Sequence, residues 1–383
     1  MALTRLTLTD FRNYSHLRLD MDPAPVVLTG PNGAGKTNLL EAVSMLAPGR
    51  GLRSAPFAEL IRAASSAGPT QWAVASQLHG PLGETRLGTS WSAPDAPLGQ
   101  PGNRQVMADG KLQKSSGILG EYVRVTWLTP SMDRLFAGPA ADRRRFLDRL
   151  VLSFDTGHGA QVQAFEKSMR ERNRLLEQGS RDDSWLSALE EQMAEAAVAI
   201  AAARHSAVRE LAGLLARTGT AGQSGQFPWA EIGIDGELEA DAGKRPAVEV
   251  EEDYRTQLRE ARREDAAAGR TLNGPHRSDL HVVHGPKGIP ARYCSTGEQK
   301  ALLVGIVLAH ARVIQAAFDG YAPLLLLDEV TAHLDENRRQ GLFDEILELG
   351  AQAWMTGTDP ELFASLGSRA QHWAVNEADL ERI

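Results

Sequence analysis

Hydrophobic and polar positions alternate at both ends of the chain and take helical spacing through its middle. Leu3, Leu6 and Leu8 precede a polar turn, and Leu17 and Leu19 alternate with charged neighbours, so residues 1–30 read as strands. The last of these is Pro25-Val26-Val27-Leu28, a short apolar run that leads into glycine. Residues 38–47 (NLLEAVSMLA) have helical spacing and are stopped by Pro48-Gly49. Between 70 and 128, the alternating segments 72–78, 84–91, 104–107 and 122–128 are separated by Gly, Pro and Ser clusters, with Asp109-Gly110 as a hairpin signal. This predicts an antiparallel β lobe, interrupted by a mobile loop at 92–103. Amphipathic helices are predicted over 140–154, 158–178 and 183–217, the last capped at Asp183-Ser184. Residues 219–250 are rich in Gly and acidic residues with short strand candidates, and 251–268 form another helix. Beyond 270 helices and strands alternate: helix 296–317, strand 323–327, helix 336–349, and strands 352–355 and 372–375. The ends are alike in class and the middle is not. The expected fold is α/β: a head split in sequence between 1–130 and 270–383, with a mainly helical arm, 131–269, inserted.

At 383 residues, 42% hydrophobic and 23% charged, the chain is long enough for such a core. Its one cysteine, Cys294, excludes an internal disulfide and a cysteine-built zinc site, which fits a reducing compartment. The N-terminal stretch lacks the continuous apolar segment of a signal peptide, and no run of about 18 apolar residues occurs. The expected location is cytoplasmic, with no membrane. The formal net charge of −8 weighs against a large nucleic-acid footprint, so any DNA contact must come from local basic patches.

Three stretches carry chemistry. Gly30-Pro31-Asn32-Gly33-Ala34-Gly35-Lys36-Thr37 fits G-x-x-x-x-G-K-[ST] between a buried strand and a helix. Its glycines let consecutive N–H groups curl around phosphate oxygens at a helix N-terminus, Lys36 supplies a mobile charge, and the Thr37 hydroxyl suits Mg²⁺. Leu324-Leu325-Leu326-Leu327-Asp328-Glu329 reads as a doubly buried parallel strand ending in two carboxylates. There Asp328 would hold the metal and Glu329 would activate water, although a buried strand ending in solvent-facing acids has the same pattern. Ser295-Thr296-Gly297-Glu298-Gln299-Lys300 opens a helix with a hydroxyl and free N–H groups. It reads either as a second anion cradle or as an ordinary cap with a capping-box Glu298. One ATP does not need two cradles from one chain; two chains sharing two ATPs do.

These residues resemble the ABC ATPase superfamily, whose signature is S-G-G-x-Q or a close variant. Phe11-Arg12-Asn13-Tyr14, Asn38-Leu39-Leu40-Glu41-Ala42-Val43, Gly49-Arg50-Gly51-Leu52-Arg53, Leu128-Thr129-Pro130-Ser131-Met132-Asp133, Arg143-Arg144-Arg145-Phe146-Leu147-Asp148 and Gly274-Pro275-His276-Arg277-Ser278-Asp279-Leu280 narrow this to a resemblance to the bacterial RecF family, over nearly the whole chain. The resemblance implies an ABC-type, SMC-like ATPase head with an antiparallel β lobe and a helical arm. The expected nucleotide contacts are Gly30, Asn32, Gly33, Ala34, Gly35, Lys36, Thr37 and Asn38, with Arg12 as a further candidate. The expected catalytic residues are Glu329, Lys36 and Asp328, and Thr37 and Asp328 are expected to hold Mg²⁺. Ser295, Gly297 and Glu298 of one subunit would close the ATP site of the other. Asp335, after Leu334, matches the D-loop, with His333 as a weaker match. RecF-like proteins are ATP-dependent DNA binders at single-strand gaps that help to load RecA with RecO and RecR, so the implied partners are DNA, a second copy joined by ATP, RecR, RecO and, indirectly, RecA. Two departures stand out. LTPSMD at 128–133 lacks the glutamine common after the lobe, and 355–359 offers Thr356 or Thr358 where many members have a switch histidine, which points to a slow ATPase. For DNA, Arg53, Arg143, Arg144, Arg145 and Arg149 are candidates, beside the groups Arg170, Arg172, Arg174 and Arg259, Arg262, Arg263. Solvated helix faces with i,i+4 ion pairs explain such groups as well. Two other functions remain open: the energising subunit of a membrane transporter, and a nonenzymatic recombination scaffold with structural ATP.

Overall fold

Leu324–Leu327, four fully buried leucines, lie inside a sheet of order Asp379–Arg382, Gln371–Asn376, Val26–Thr29, Ala353–Gly357, Leu324–Leu327, Val125–Leu128. In this computed structural model, which describes residues 1–63, 69–93, 102–179, 182–220, 227–332 and 334–383, all pairs in that sheet are parallel except the last hairpin. The register aligns Leu327 with Leu128 and Met355, and Gly357 with Thr29. The carboxyl ends of four strands therefore meet at one edge, where Gly30, Thr129, Asp328 and Thr356 follow or close them. Such edges take ligands in α/β sheets.

A second sheet, wholly antiparallel, runs Tyr14–Asp20, Ala2–Phe11, Gln71–Gly80, Gly83–Ser92, Gln105–Ala108, Lys111–Leu112. Its alternating strands bury Leu3, Leu6, Leu8, Trp72, Val74 and Leu78 on one face. Asp109 and Gly110 both take positive φ, 48° and 77°, as a two-residue hairpin turn requires. The antiparallel lobe is present, but the segment 122–128 does not belong to it. Leu119–Tyr122 is helical and Val125–Leu128 joins the parallel sheet. All four residues of that strand are buried, the signature of a strand covered on both faces and not of a half-exposed alternating one. Most of the expected loop at 92–103 falls outside the described residues.

By length and composition the helix Thr296–Ala317 could cross a membrane. In the fold it is a core helix, with Leu302, Leu303, Val304, Ile306 and Val307 buried. The chain divides into two compact units, the first comprising Met1–Asp133, Ser224–Pro228 and Ser295–Ile383. The second is Arg134–Gln223 and Trp229–Cys294. It holds the helices Ala140–Leu152, His158–Glu177, Asp183–Thr220, Ala247–Glu260 and Arg262–Ala268. Phe165, Met193, Ala197, Ile200, Tyr254 and Leu258 form its core. Unlike the arm expected to stop at 269, this unit continues to Cys294, because Asp279–His284 pairs antiparallel with Ala230–Asp235 and Ile289–Pro290. The long helix is capped one residue earlier than expected: the Trp185 N–H donates to the Asp182 carboxylate at 3.0 Å, while Asp183 pairs with Arg262.

Candidate functional site

Gly30, at φ 148°, leaves the strand Val26–Thr29 so tightly that a Cβ there would stand 2.1 Å from the carbonyl oxygen of Val375. Gly35, at φ 115°, is the N-cap of the helix Lys36–Ser44, and a Cβ would meet Asn13 Nδ2 at 2.5 Å and the Tyr14 hydroxyl at 2.7 Å. These two contacts, with the φ values, make glycine obligatory at both positions. The loop is held from outside. Asn13 Nδ2 donates to Ala34 O at 3.3 Å, the Tyr14 hydroxyl to Gly35 O at 3.1 Å, and the Ala378 N–H to Ala34 O at 3.1 Å. Asn32 and Gly33 stay exposed at its tip. Lys36 is buried and its ammonium donates to the carbonyl oxygens of Gly30 at 2.7 Å and Pro31 at 2.8 Å. Burial holds it below the ordinary lysine value, opposed by the charges of Glu329 and Asp328.

At the adjoining strand end, Asp328 Oδ1 accepts from the hydroxyls of Thr37 at 2.9 Å and Thr356 at 2.7 Å. Thr356 Oγ1 in turn accepts from the Glu329 N–H at 2.8 Å. Glu329 stands at φ 47° with its side chain exposed. A non-glycine residue there carries strain of roughly 1–3 kcal/mol, maintained only where neighbours hold it. Its carbonyl accepts from Lys300 Nζ at 3.3 Å. Burial lowers Lys300 as well, against the raising effect of Asp133 and Glu329. Of the two threonines flagged in place of a switch histidine, Thr356 is the one in the network; Thr358 is exposed.

Thr37, Leu52, Arg53, Ser54, Thr129, Pro130, Ser131 and Asp328 line one cavity. Arg53 donates to Asn38 Oδ1 at 2.8 Å and to Glu41 at 3.0 Å, which sets it beside the helix that follows the phosphate loop. Asn38 also donates to Asn13 Oδ1 at 2.8 Å. Arg12 pairs with both oxygens of the fully buried Glu41 at 2.8 Å and donates to Glu59 O at 2.9 Å. Glu41 lay in a quoted motif, but nothing in its spacing shows that it gathers two arginines.

Ser295 and Glu298 make a complete capping box, with the Ser295 N–H to Glu298 Oε2 at 3.0 Å and the Glu298 N–H to Ser295 Oγ at 3.4 Å. Ser295 is exposed at its own helix start, apart from the phosphate loop's helix, and Gly297 offers its carbonyl to Arg338 at 3.5 Å. Asp335 caps the helix Glu336–Leu349 through Arg338 N at 2.9 Å; His333 is outside the described residues.

On the helix Ala140–Leu152, the arginines proposed for DNA are mostly engaged within the second unit. Arg143 makes a two-pronged pair with Asp279, both bonds 2.7 Å, and donates to Gly138 O at 2.6 Å. Arg144 donates to Ser278 O at 2.8 Å. Arg149 stacks 5.5 Å from the Phe146 ring and burial pulls it down to about 10. Arg145, 77% exposed and paired with Asp142 three residues before it, is the exception on this helix. In the other groups Arg172 is fully buried, bonded to Glu190, Asp265, Thr271 and Leu258 O, and Arg262 pairs with Glu190 and Asp183, whereas Arg170, Arg174, Arg259 and Arg263 are exposed. Helical spacing alone does not separate such a buried network from a solvated face.

The family model "RecF/RecN/SMC N terminal domain" matches residues 2–371. The chain is 54% identical over 374 residues to the DNA replication and repair protein RecF of Mesorhizobium japonicum, covering 98% of this chain and 96% of that one. It is 50% identical over 384 aligned positions to the protein of the same name from Brucella suis, covering 100% and 97%. Among solved structures, the recombination mediator protein RecF-ATPrS in the RecFOR pathway superposes with a TM-score of 0.82 at 21% identity, covering 100% and 98%. The Smc head domain of Pyrococcus furiosus, with an extended coiled coil, does so at 0.52 and 16%, covering 100% and 96%. Both share this chain's fold of helices with mixed and antiparallel sheets. With half or more of its residues identical over nearly its full length, this chain belongs to the RecF family.

Proposed function

We propose that the protein is an ATP-dependent DNA-binding protein of recombinational repair and replication-fork maintenance, acting in the cytoplasm. Two copies join head to head on ATP and bind DNA at single-strand gaps or single-strand–duplex junctions; slow, DNA-stimulated hydrolysis then releases it. The observation that carries the reading is the hydrogen-bonded chain Thr37–Asp328–Thr356–Glu329 beside a glycine loop at the carboxyl edge of a parallel sheet. The loop N–H groups and Lys36 bind the phosphates, with Asn38 and Arg12 bordering them. Two hard oxygen donors, Thr37 Oγ1 and Asp328 Oδ1, 2.9 Å apart, fit Mg²⁺, which takes few protein ligands and completes its shell with phosphate and water. When bound, Mg²⁺ neutralises charge on the phosphates. The exposed Glu329 orients the attacking water and takes its proton, giving ADP and phosphate. Ser295, Gly297 and Glu298 of one copy contact the γ-phosphate held by the other. Relatives of half identity bear the name DNA replication and repair protein, and a solved relative is named RecF-ATP in the RecFOR pathway, which supports ATP, DNA, RecR, RecO and indirectly RecA as ligand and partners.

Arg53 is reassigned from DNA to the metal side of the nucleotide, since it lines the cavity with Thr37 and Asp328. Arg145 remains the exposed candidate for DNA phosphate on the helix Ala140–Leu152.

Sedimentation with and without ATP-Mg²⁺, with phosphate release measured in parallel, tests the whole reading. Wild type should pass from monomer to dimer on ATP. Glu329→Gln should hold the dimer while turnover falls about a hundredfold or more. A chain that stays monomeric at saturating ATP with DNA present contradicts the shared site. Turnover untouched by Glu329→Gln removes the catalytic assignment, and a dimer competent in DNA binding without ATP leaves a scaffold.

A further inference from the structure

Lys300 lies in the second turn of the helix that Ser295 opens, about 7 Å along the axis from that cap. Its side chain is 1% exposed, yet among the described residues its ammonium has only long contacts: Glu329 O at 3.3 Å and Asp133 Oδ2 at 3.6 Å. Asp133 ends the LTPSMD segment, and its other oxygen, Oδ1, is buried without a hydrogen-bond partner among the described residues. A buried ion pair of this kind is poor at stabilising a fold; a methionine and a neutral partner would pack as well or better. What the lysine does reach is the peptide that carries Glu329. That peptide is held at its N–H by Thr356 and at its carbonyl by Lys300, and it stands at positive φ.

Resting on the ATP-site reading above, we infer that Lys300 is a positioning residue for hydrolysis, tying the Glu329 turn and Asp133 to the helix whose start meets the partner copy's nucleotide. Capture of a γ-phosphate at Ser295 draws on this helix, and the helix carries Lys300 with it. Both long contacts have room to shorten when that happens. The state of one nucleotide site thereby sets the placement of the general base in the other, and the two ATPs of a joined pair are hydrolysed interdependently.

The test uses the full chain with ATP-Mg²⁺ and DNA, and the variants Lys300→Met, Lys300→Arg and the double variant Lys300→Met/Asp133→Asn. The first should lower kcat about ten- to a hundredfold while KM for ATP stays within about threefold and ATP-driven association persists. Lys300→Arg, which keeps the charge and its reach, should recover most of the rate. The double variant, free of the unpaired carboxylate, should fold as stably as wild type and remain slow. A single variant with wild-type kcat overturns the inference. So does a double variant whose rate returns with its Tm, because the lysine then serves only to neutralise Asp133. If wild type itself neither associates nor turns over ATP, the ATP-site reading falls and this inference with it; wild-type activity with an indifferent Lys300 removes the inference alone.

Discussion

At the scale of single residues, Thr356 has the most to do with the fewest atoms. Its hydroxyl donates to Asp328 and accepts from the Glu329 N–H, so it fixes a carboxylate and a strained peptide together. Thr356→Val keeps the shape and deletes both bonds. A fully buried N–H left without an acceptor costs about 1–3 kcal/mol, and this half-buried one somewhat less. We expect a Tm lower by several degrees and a kcat reduced at least about tenfold, because the Glu329 carboxylate loses its fixed origin. Thr356→Ser, which retains the hydroxyl, should stay near wild type in both. If Thr356→Val lowers Tm alone, the threonine is a fold element and not part of the catalytic arrangement. The sequence placed Thr356 and Thr358 on equal terms because the choice depends on sheet register: Leu327 pairs with Met355, which brings the next residue, Thr356, level with Asp328. The loop residues Gly30–Thr37, by contrast, were legible, since their spacing is local. Lys300 and Glu41 were not, because each is explained by partners from distant segments.

Some strongly periodic elements keep their expected bounds, while the single helix expected over 251–268 is two, Ala247–Glu260 and Arg262–Ala268. Thr296–Ala317 and Glu336–Leu349 match their sequence patterns residue for residue. The VTWL strand follows alternating segments and so reads as part of the antiparallel lobe, whereas its continuous burial marks a parallel strand. On the helix Ala140–Leu152, consecutive arginines point to different fates because successive residues on a helix turn by about 100°. Arg143 is 14% exposed and bound to Asp279; Arg145 is 77% exposed. Two single variants separate fold from function on this one element. Arg143→Ala strands Asp279 and should lower Tm by about 3–8 °C. Arg145→Ala should leave Tm unchanged, weaken DNA binding and reduce the slope of log affinity against log salt by about 1. Equal DNA binding and slope for Arg145→Ala would take this helix off the DNA surface.

For the whole molecule, the proposed joining of two copies turns on whether the exposed start of Thr296–Ala317 is an anion site or only a cap. Ser295 is engaged with Glu298 in a complete capping box, so removing the hydroxyl confounds the two roles: an alanine there weakens the helix by about 0.5–2 kcal/mol whatever else it does. Ser295→Asp separates them. Aspartate is as good an N-cap as serine; it gives up the hydroxyl bond to Glu298 Oε2 and meets that carboxylate, but at an exposed helix start the cost is small, so the Tm should fall by no more than a few degrees. Its carboxylate, however, would face the γ-phosphate of the partner's nucleotide, and two like charges in a closed site repel strongly. In the Glu329→Gln background, where turnover cannot dissolve the complex, Ser295→Asp should bind ATP with unchanged affinity and yet sediment as a monomer at ATP concentrations that fully dimerise the parent. Mixed with a Lys36→Ala chain, which offers an intact Ser295 but an impaired phosphate loop, it should form at most a one-nucleotide heterodimer, joined through the single cradle that remains. Dimerisation of Ser295→Asp as readily as the parent would mean that the serine caps a helix and nothing more, and that copies of this chain meet through some other surface.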